Sequence, residues 1–303
     1  MSTIEKALAK QKQAQQANTR TQIENAERTA DKSVLETEID VSPETTPRNQ
    51  TEDMATVDKE TIYIDNDKLT ERGFLHSGGD AHHQQEEFRH IKRKLINNAF
   101  GIASKTLKQS NLIMVSSANP NEGKTFVSIN LALSIALEQD KTVLLIDADV
   151  LRPSLHRELE FENTSGLLDY LCGNLDDLSD IIYSSNLPNL KIMPAGKAHH
   201  LTNELLASQR MATLANELSA RYPDRVVIFD CPPLLGVTET PVLASLMGQA
   251  VVVIEESRTR IEDIKRATSQ LSDELATGFV LNKTIKSNKD IYGYYGYGYG
   301  KKR

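Results

Sequence analysis

Apolar residues are scarce and scattered over the first quarter of the chain and become regular from about Glu86. In EEFRHIKRKLINNAF, residues Phe88, Ile91, Leu95 and Ala99 fall at helical spacing on one face, while Glu86, Arg89 and Lys92 recur every third residue on another. Short apolar runs follow at Leu112 to Val115, Thr142 to Ile146, Leu190 to Met193, Arg225 to Phe229, Ala250 to Ile254 and Gly278 to Leu281. Each has the length and composition of a strand buried on both faces. Between them, residues 124–138 are apolar nearly all round, and stretches near 203–221, 239–246 and 261–275 have helical periodicity. Gly166 to Leu171 and Leu175 to Ile182 read as short amphipathic pieces. Strands alternating with helices predict an α/β fold, a parallel sheet with helices on both faces. Right-handed crossovers then bring the ends of these strands to one rim.

The flanks differ from this middle. Ser2 and Glu5 make a capping box for a short helix with Ile4 and Leu8 on one face, which reads equally as a docking helix or a frayed end. From Gln11 to His83 the chain is rich in Gln, Thr, Glu, Asp and Asn and buries too little apolar surface to offset ordering, so an arm without fixed structure is expected. Thr61-Ile-Tyr-Ile64 is the exception, a short strand or a docking segment. The expected division is an arm over 1–85, a domain over 86–285 and a tail over 286–303.

Charge and cysteine content narrow the function. With 35 basic and 42 acidic residues, net charge −7, there is no electrostatic case for nucleic-acid binding. Two cysteines, Cys172 and Cys231, form neither a disulfide framework nor a metal-ligand spacing, so a reduced, cytoplasmic chain is expected. No apolar run approaches the roughly 20 residues needed to span a bilayer, and MSTIEKALAK lacks the apolar core of a secretory signal. Membrane association is therefore expected through a partner or a surface helix.

Candidate chemistry sits at the strand ends. After Leu112 to Val115, the residues Ala118, Asn119, Pro120, Asn121, Glu122, Gly123, Lys124 and Thr125 fit a phosphate-loop pattern. Such a loop turns its N–H groups toward a phosphate chain at the positive end of the next helix, with the lysine on the terminal phosphates and the hydroxyl on Mg²⁺. The run Thr142 to Ile146 ends on Asp147 and Asp149, which period-two geometry points to one side. Arg225 to Phe229 ends on Asp230, followed by Cys231, Pro232 and Pro233. Carboxylates at such an edge are costly unless a cation sits among them. Taken singly, each motif also reads as an ordinary strand turn or helix cap. Finally, YGYYGYGYG places Tyr292, Tyr294, Tyr295, Tyr297 and Tyr299 among glycines, as flexible phenol acceptors or as a sticky low-complexity end.

The three strand-end motifs in this order, followed by the tyrosine cluster, resemble the bacterial tyrosine kinases, and more narrowly the exopolysaccharide-associated tyrosine autokinases. The resemblance covers roughly Glu86 to the C-terminus, and MSTIEKAL is similar to the opening of that subgroup. It implies a P-loop fold of the deviant Walker superfamily, with ATP and Mg²⁺ as cofactors. Residues 118–125, Arg152 and Asn282 would then hold nucleotide, and Thr125, Asp149 and Asp230 the metal. Lys124, Asp147, Asp149 and Asp230 would carry catalysis, Asp147 accepting or orienting the proton of an incoming tyrosine. In the family a Glu-x-x-Arg-x-x-Arg helix forms ring contacts between subunits, matched here by Glu86, Arg89 and Lys92 with lysine last. Leu151 stands where an arginine is common, leaving Arg152. The implied partners are a transmembrane, Wzz-like chain-length regulator as activator, further copies of the chain in a ring, and a protein tyrosine phosphatase. The implied place is the inner face of the membrane. A ParA/MinD-like positioning ATPase is the main rival. Those relatives carry lysine near the loop start, where Asn119 stands here. A nucleotide-binding scaffold without transfer activity is the third reading.

Overall fold

The computed structural model describes residues 61–75, 82–200, 202–222 and 224–285. The amino-terminal capping box, most of the polar arm and the tyrosine tail lie outside the described residues. The first elements are α1 (Asn66–Glu71), α2 (His82–Phe100), β1 (Leu112–Ser117), α3 (Lys124–Ala136), β2 (Thr142–Asp147), α4 (Leu155–Glu158) and α5 (Leu167–Leu171). They are followed by β3 (Tyr183–Ser184), β4 (Leu190–Met193), α6 (Thr202–Leu206), α7 (Gln209–Arg221) and β5 (Arg225–Asp230). The last are α8 (Glu239–Ala244), β6 (Gln249–Glu255), α9 (Ile261–Thr268) and β7 (Ala276–Asn282).

The strands form one sheet in the order β3-β4-β2-β5-β1-β6-β7. All pairings are parallel except β3 with β4, a two-residue antiparallel edge that no apolar run announces. Successive residues of each central strand enter opposite layers. Leu112, Met114, Leu144, Ile146, Val227 and Phe229 face one core. Ile113, Val115, Val143, Leu145, Val226 and Ile228 face the other. Continuous apolar runs are therefore what both faces require. Because β5 lies between β1 and β2, with Asp147 opposite Asp230 and Val115 also opposite Asp230, three strand ends meet at one point of the rim.

Three sequence expectations change. The helix expected over 203–221 is two helices, because the Ser208 side chain accepts the Met211 N–H at 3.2 Å and starts α7 afresh. The helix expected over 261–275 ends at Thr268. Packing also reaches back to Thr61, ahead of the expected start at Glu86. Ile62 bridges to Ser185 beside the β3 edge, and Ile62, Ile64, Leu69, Phe74 and Leu75 are buried in the second core. Asn186 pairs with both the N–H and the carbonyl of Ile64, at 2.9 and 3.0 Å. The buried Asn130 accepts the Leu75 N–H at 2.7 Å. Thr61-Ile-Tyr-Ile64 is thus a docking segment with a single strand-like bridge.

Lys92 requires a correction. It lies on the buried stripe Phe88, Lys92, Leu95, Ala99, is 7% exposed, donates to the Ser134 carbonyl at 3.0 Å and pairs with Glu138. Its charge is committed within the chain, to partners in and just after α3. Glu86 and Arg89 are exposed and paired with one another.

Candidate active site

The loop between β1 and α3 owes its shape to left-handed backbone at Asn121 (φ 65°) and Gly123 (φ 96°). Glycine is required at the second position. A Cβ there would lie 2.0 Å from the Asn282 amide nitrogen, which donates to the Glu122 carbonyl at 3.0 Å. Asn282, at the end of β7, thus touches the loop backbone. The buried Glu122 side chain folds back to accept the Asn119 N–H at 2.9 Å and the Thr259 hydroxyl at 2.6 Å. Asn119 also directs its side-chain amide to Glu122 and Asp263. Ala118 is buried under the loop, and Pro120 and Asn121 line the open side.

All five expected residues converge at the rim. Lys124 Nζ is 2.8 Å from Asp149 Oδ2. The Thr125 hydroxyl donates to Asp230 Oδ2 at 2.7 Å, and Ser128 donates to the other oxygen at 3.0 Å. Ser154 stands 2.8 Å from the Thr125 hydroxyl. The N–H groups of Ser154 and Leu155, opening α4, both donate to Asp147 Oδ2 at 3.0 Å. Asp147 Oδ1 is buried and has no hydrogen-bond partner. Ser128 and Ser154 were not singled out in the sequence. The first is a polar residue one turn after Lys124, and the second immediately precedes α4.

Electrostatics follow from burial of three carboxylates beside one ammonium. Burial first, then the neighbouring Asp230, pushes the Asp147 carboxyl up to about 8. Burial raises Asp230 to about 6, opposed by Lys124 and the Thr125 hydroxyl. Burial works against the Lys124 charge, but Asp230 and Asp149 outweigh it and hold the amine above its usual value. The cluster is short of positive charge. Among the described residues no three histidine, cysteine or carboxylate groups form a ready metal cage. One hydroxyl and two carboxylates beside a phosphate loop suit a magnesium ion that keeps waters and shares phosphate oxygens. The orphaned Asp147 oxygen fits the same deficit. Cys231, fully buried next to Asp230, has its thiol pushed well up by that burial and is inert filler.

A cavity of about 660 Å³ opens over this cluster. Pro120, Asn121 and Gly123 to Phe126 form one wall, Leu151, Arg152, Ser154, Arg157 and Glu158 a second, and Pro232, Pro233 and Leu235 to Val237 a third. Arg152 is exposed in it, with its N–H on Asp149 at 3.2 Å. Arg72 and Phe74, from the docked segment, supply a further wall that sequence reasoning did not foresee.

The AAA-domain family model AAA_31 matches residues 110–284. The chain is 35% identical over 191 residues to the tyrosine-protein kinase YwqD of Bacillus subtilis, covering 62% of this chain and 79% of that protein. It is 32% identical over 214 residues to the putative tyrosine-protein kinase CapB of Staphylococcus aureus, covering 70% and 90%. Other relatives are longer, and the chain spans 25% and 24% of two of them. The solved kinase domain of VpsO superposes with a TM-score of 0.56 at 27% identity, covering 68% of this chain and 98% of that domain. With the phosphate loop and its carboxylates assembled as above, the chain belongs to the bacterial tyrosine kinases, in the group that includes YwqD and CapB.

Proposed function

We propose that the chain is an ATP-dependent tyrosine autokinase that transfers the γ-phosphate of Mg-ATP to Tyr292, Tyr294, Tyr295, Tyr297 and Tyr299, mainly between subunits, and thereby regulates exopolysaccharide or capsule synthesis and export. The observation that carries the reading is the convergence of Lys124, Thr125, Asp147, Asp149 and Asp230 at one point of the rim, where Lys124, Thr125 and Asp149 line the cavity and Asp147 and Asp230 lie buried beneath it, one Asp147 oxygen without a partner. Loop amides of residues 118–125 and the Lys124 ammonium cradle the triphosphate, with Arg152 and Asn282 at its borders. Thr125, Asp149 and Asp230 would hold Mg²⁺, which neutralises phosphate charge when bound. Asp147 accepts the proton of the incoming phenol, whose ordinary pKa near 10 otherwise makes it a poor nucleophile. The phenol oxygen bonds to the γ-phosphorus, the bond to the bridging oxygen breaks, and ADP departs.

Asn119 supports the kinase reading over a positioning ATPase. Where those ATPases carry a long cationic side chain, a short amide is turned to Glu122 and Asp263. Among the described residues no helix is long and apolar enough to cross a membrane. The proposal includes a transmembrane chain-length regulator acting as activator and holding the kinase at the inner membrane face. A ring of copies meeting through Glu86 and Arg89, and a tyrosine phosphatase that resets the tail, complete it. The test is incubation of the purified chain with Mg-ATP and the regulator's cytoplasmic segment, followed by mass spectrometry. Phosphate on the tail in wild type and none in Lys124→Met is expected; an unmodified wild-type tail overturns the proposal.

A further inference from the structure

The docked segment, residues 61–75, precedes the part of the chain that matches the AAA-domain family and yet reaches the reaction cavity. Its charged side chains converge on α4 and on Glu160 just after it. Arg72 donates to the Arg157 carbonyl and the Glu158 carboxylate, both at 3.2 Å, and to Glu160 at 2.8 Å. Lys68 pairs with Glu160 as well. Beneath these charges, Ile64 and Leu69 of the segment lie in the same core as Leu155 and Leu159. Further along, Phe74 stacks on Phe126 of α3 with ring centroids 5.3 Å apart. The segment thus ties the helix that follows the second aspartate motif to the helix that follows the phosphate loop.

What α4 does makes that tie matter. It is a single turn of four residues, too short to hold itself together. Its opening N–H groups, from Ser154 and Leu155, are the hydrogen-bond partners that fix Asp147 and leave the other carboxylate oxygen bare. If α4 frays, Asp147 loses both donors at once. The exposed ion pairs alone would contribute little. Arg72 differs because it joins two carboxylates and a backbone carbonyl at the C-terminal end of the same turn, over buried apolar contacts.

We infer that residues 61–75 are a brace for the kinase site, and that Arg72 is a positioning residue that acts through α4 on Asp147. The inference rests on the phosphoryl-transfer reading above and assigns a role to residues outside the expected site. Loss of Arg72 should disturb the proton acceptor and spare the phosphate loop, which is anchored separately by Glu122, Thr259 and Asn282.

The test uses the full chain as wild type, Arg72→Ala and Arg72→Lys, with two readouts. Amide hydrogen exchange at residues 154–158 should accelerate about tenfold or more in Arg72→Ala, with exchange in α3 unchanged. In tyrosine phosphorylation with Mg-ATP, kcat should fall about tenfold while the KM for ATP and the affinity for a non-hydrolysable analogue stay within twofold. Arg72→Lys should recover part of both, because lysine keeps the charge and one of the bonds. Unchanged exchange at residues 154–158 overturns the brace, as does a loss of nucleotide affinity that matches the loss in kcat. If wild type transfers no phosphate, the kinase reading falls, while the exchange readout still decides the brace.

Discussion

Replacing Gly123 by alanine tests the loop geometry with a change of one methyl group. Gly123 holds φ 96°, and an added Cβ would come within 2.0 Å of the Asn282 amide nitrogen. Left-handed backbone costs a non-glycine residue roughly 1–2 kcal/mol. Relieving the clash displaces Asn282 from the Glu122 carbonyl, a hydrogen bond contributing about 0.5–1.5 kcal/mol. Together these amount to about 1.5–3.5 kcal/mol, or roughly 10- to 400-fold in affinity if the bound loop needs the observed shape. Titration calorimetry with a non-hydrolysable ATP analogue and Mg²⁺ should show that weakening in Gly123→Ala. Asn282→Ala removes the clashing group, so the double variant should lose less than the sum of the single losses, by about 1 kcal/mol. An affinity for Gly123→Ala within threefold of wild type, or strict additivity of the pair, would refute the reasoning.

Other outcomes follow from the same geometry. Lys92→Ala should lower stability by about 1–3 kcal/mol in urea titrations, because a buried charge-assisted bond is lost, without changing the sedimentation coefficient. Glu86→Ala with Arg89→Ala should instead leave stability within about 0.5 kcal/mol and shift the proposed assembly toward monomer. Asn130→Ala should cost about 1–3 kcal/mol, since the Leu75 N–H is then buried without its acceptor. Stability of the nucleotide-free chain should fall as pH rises from about 4 through about 8. Asp230 and Asp147 have folded-state values raised to about 6 and about 8, so each holds its proton more tightly when folded and stabilises the fold only while protonated. Lys124 is also raised, but its contribution is lost only above the usual lysine range and leaves this window flat, while His156, held below its usual value by burial, opposes the trend with a smaller shift. Melting temperatures across the window check the sign, and a rising trend would refute it.

The central sheet could be read from the chain because each strand is a short run of residues that both layers need, bounded by turns that carry the chemistry. Asp147, Asp149 and Asp230 were legible for the same reason: a carboxylate at the end of a buried apolar run stands out. The docked segment was legible only at Thr61 to Ile64; Leu69, Phe74 and Leu75 beyond it have neither helical nor strand regularity, and the segment finds its partners more than 50 residues away. By charge alone Lys92 reads as part of the exposed stripe with Glu86 and Arg89. The spacing 88, 92, 95, 99 puts it on the apolar stripe, where a long side chain can bury its stem and turn its ammonium to a carbonyl. Arg72 had no sequence signal, because its role arises only where residues 61–75 meet α4.

The most direct measurement mixes two full-length variants with Mg-ATP and the activating segment. One is Lys124→Met with its tail intact; the other has an intact site and Tyr292, Tyr294, Tyr295, Tyr297 and Tyr299 changed to Phe. Phosphate should appear on the tail of the Lys124→Met chain, as resolved by mass spectrometry, and neither variant alone should become labelled there. An unlabelled tail in the mixture, from a preparation whose wild type hydrolyses ATP, would contradict transfer from this cavity to those tyrosines.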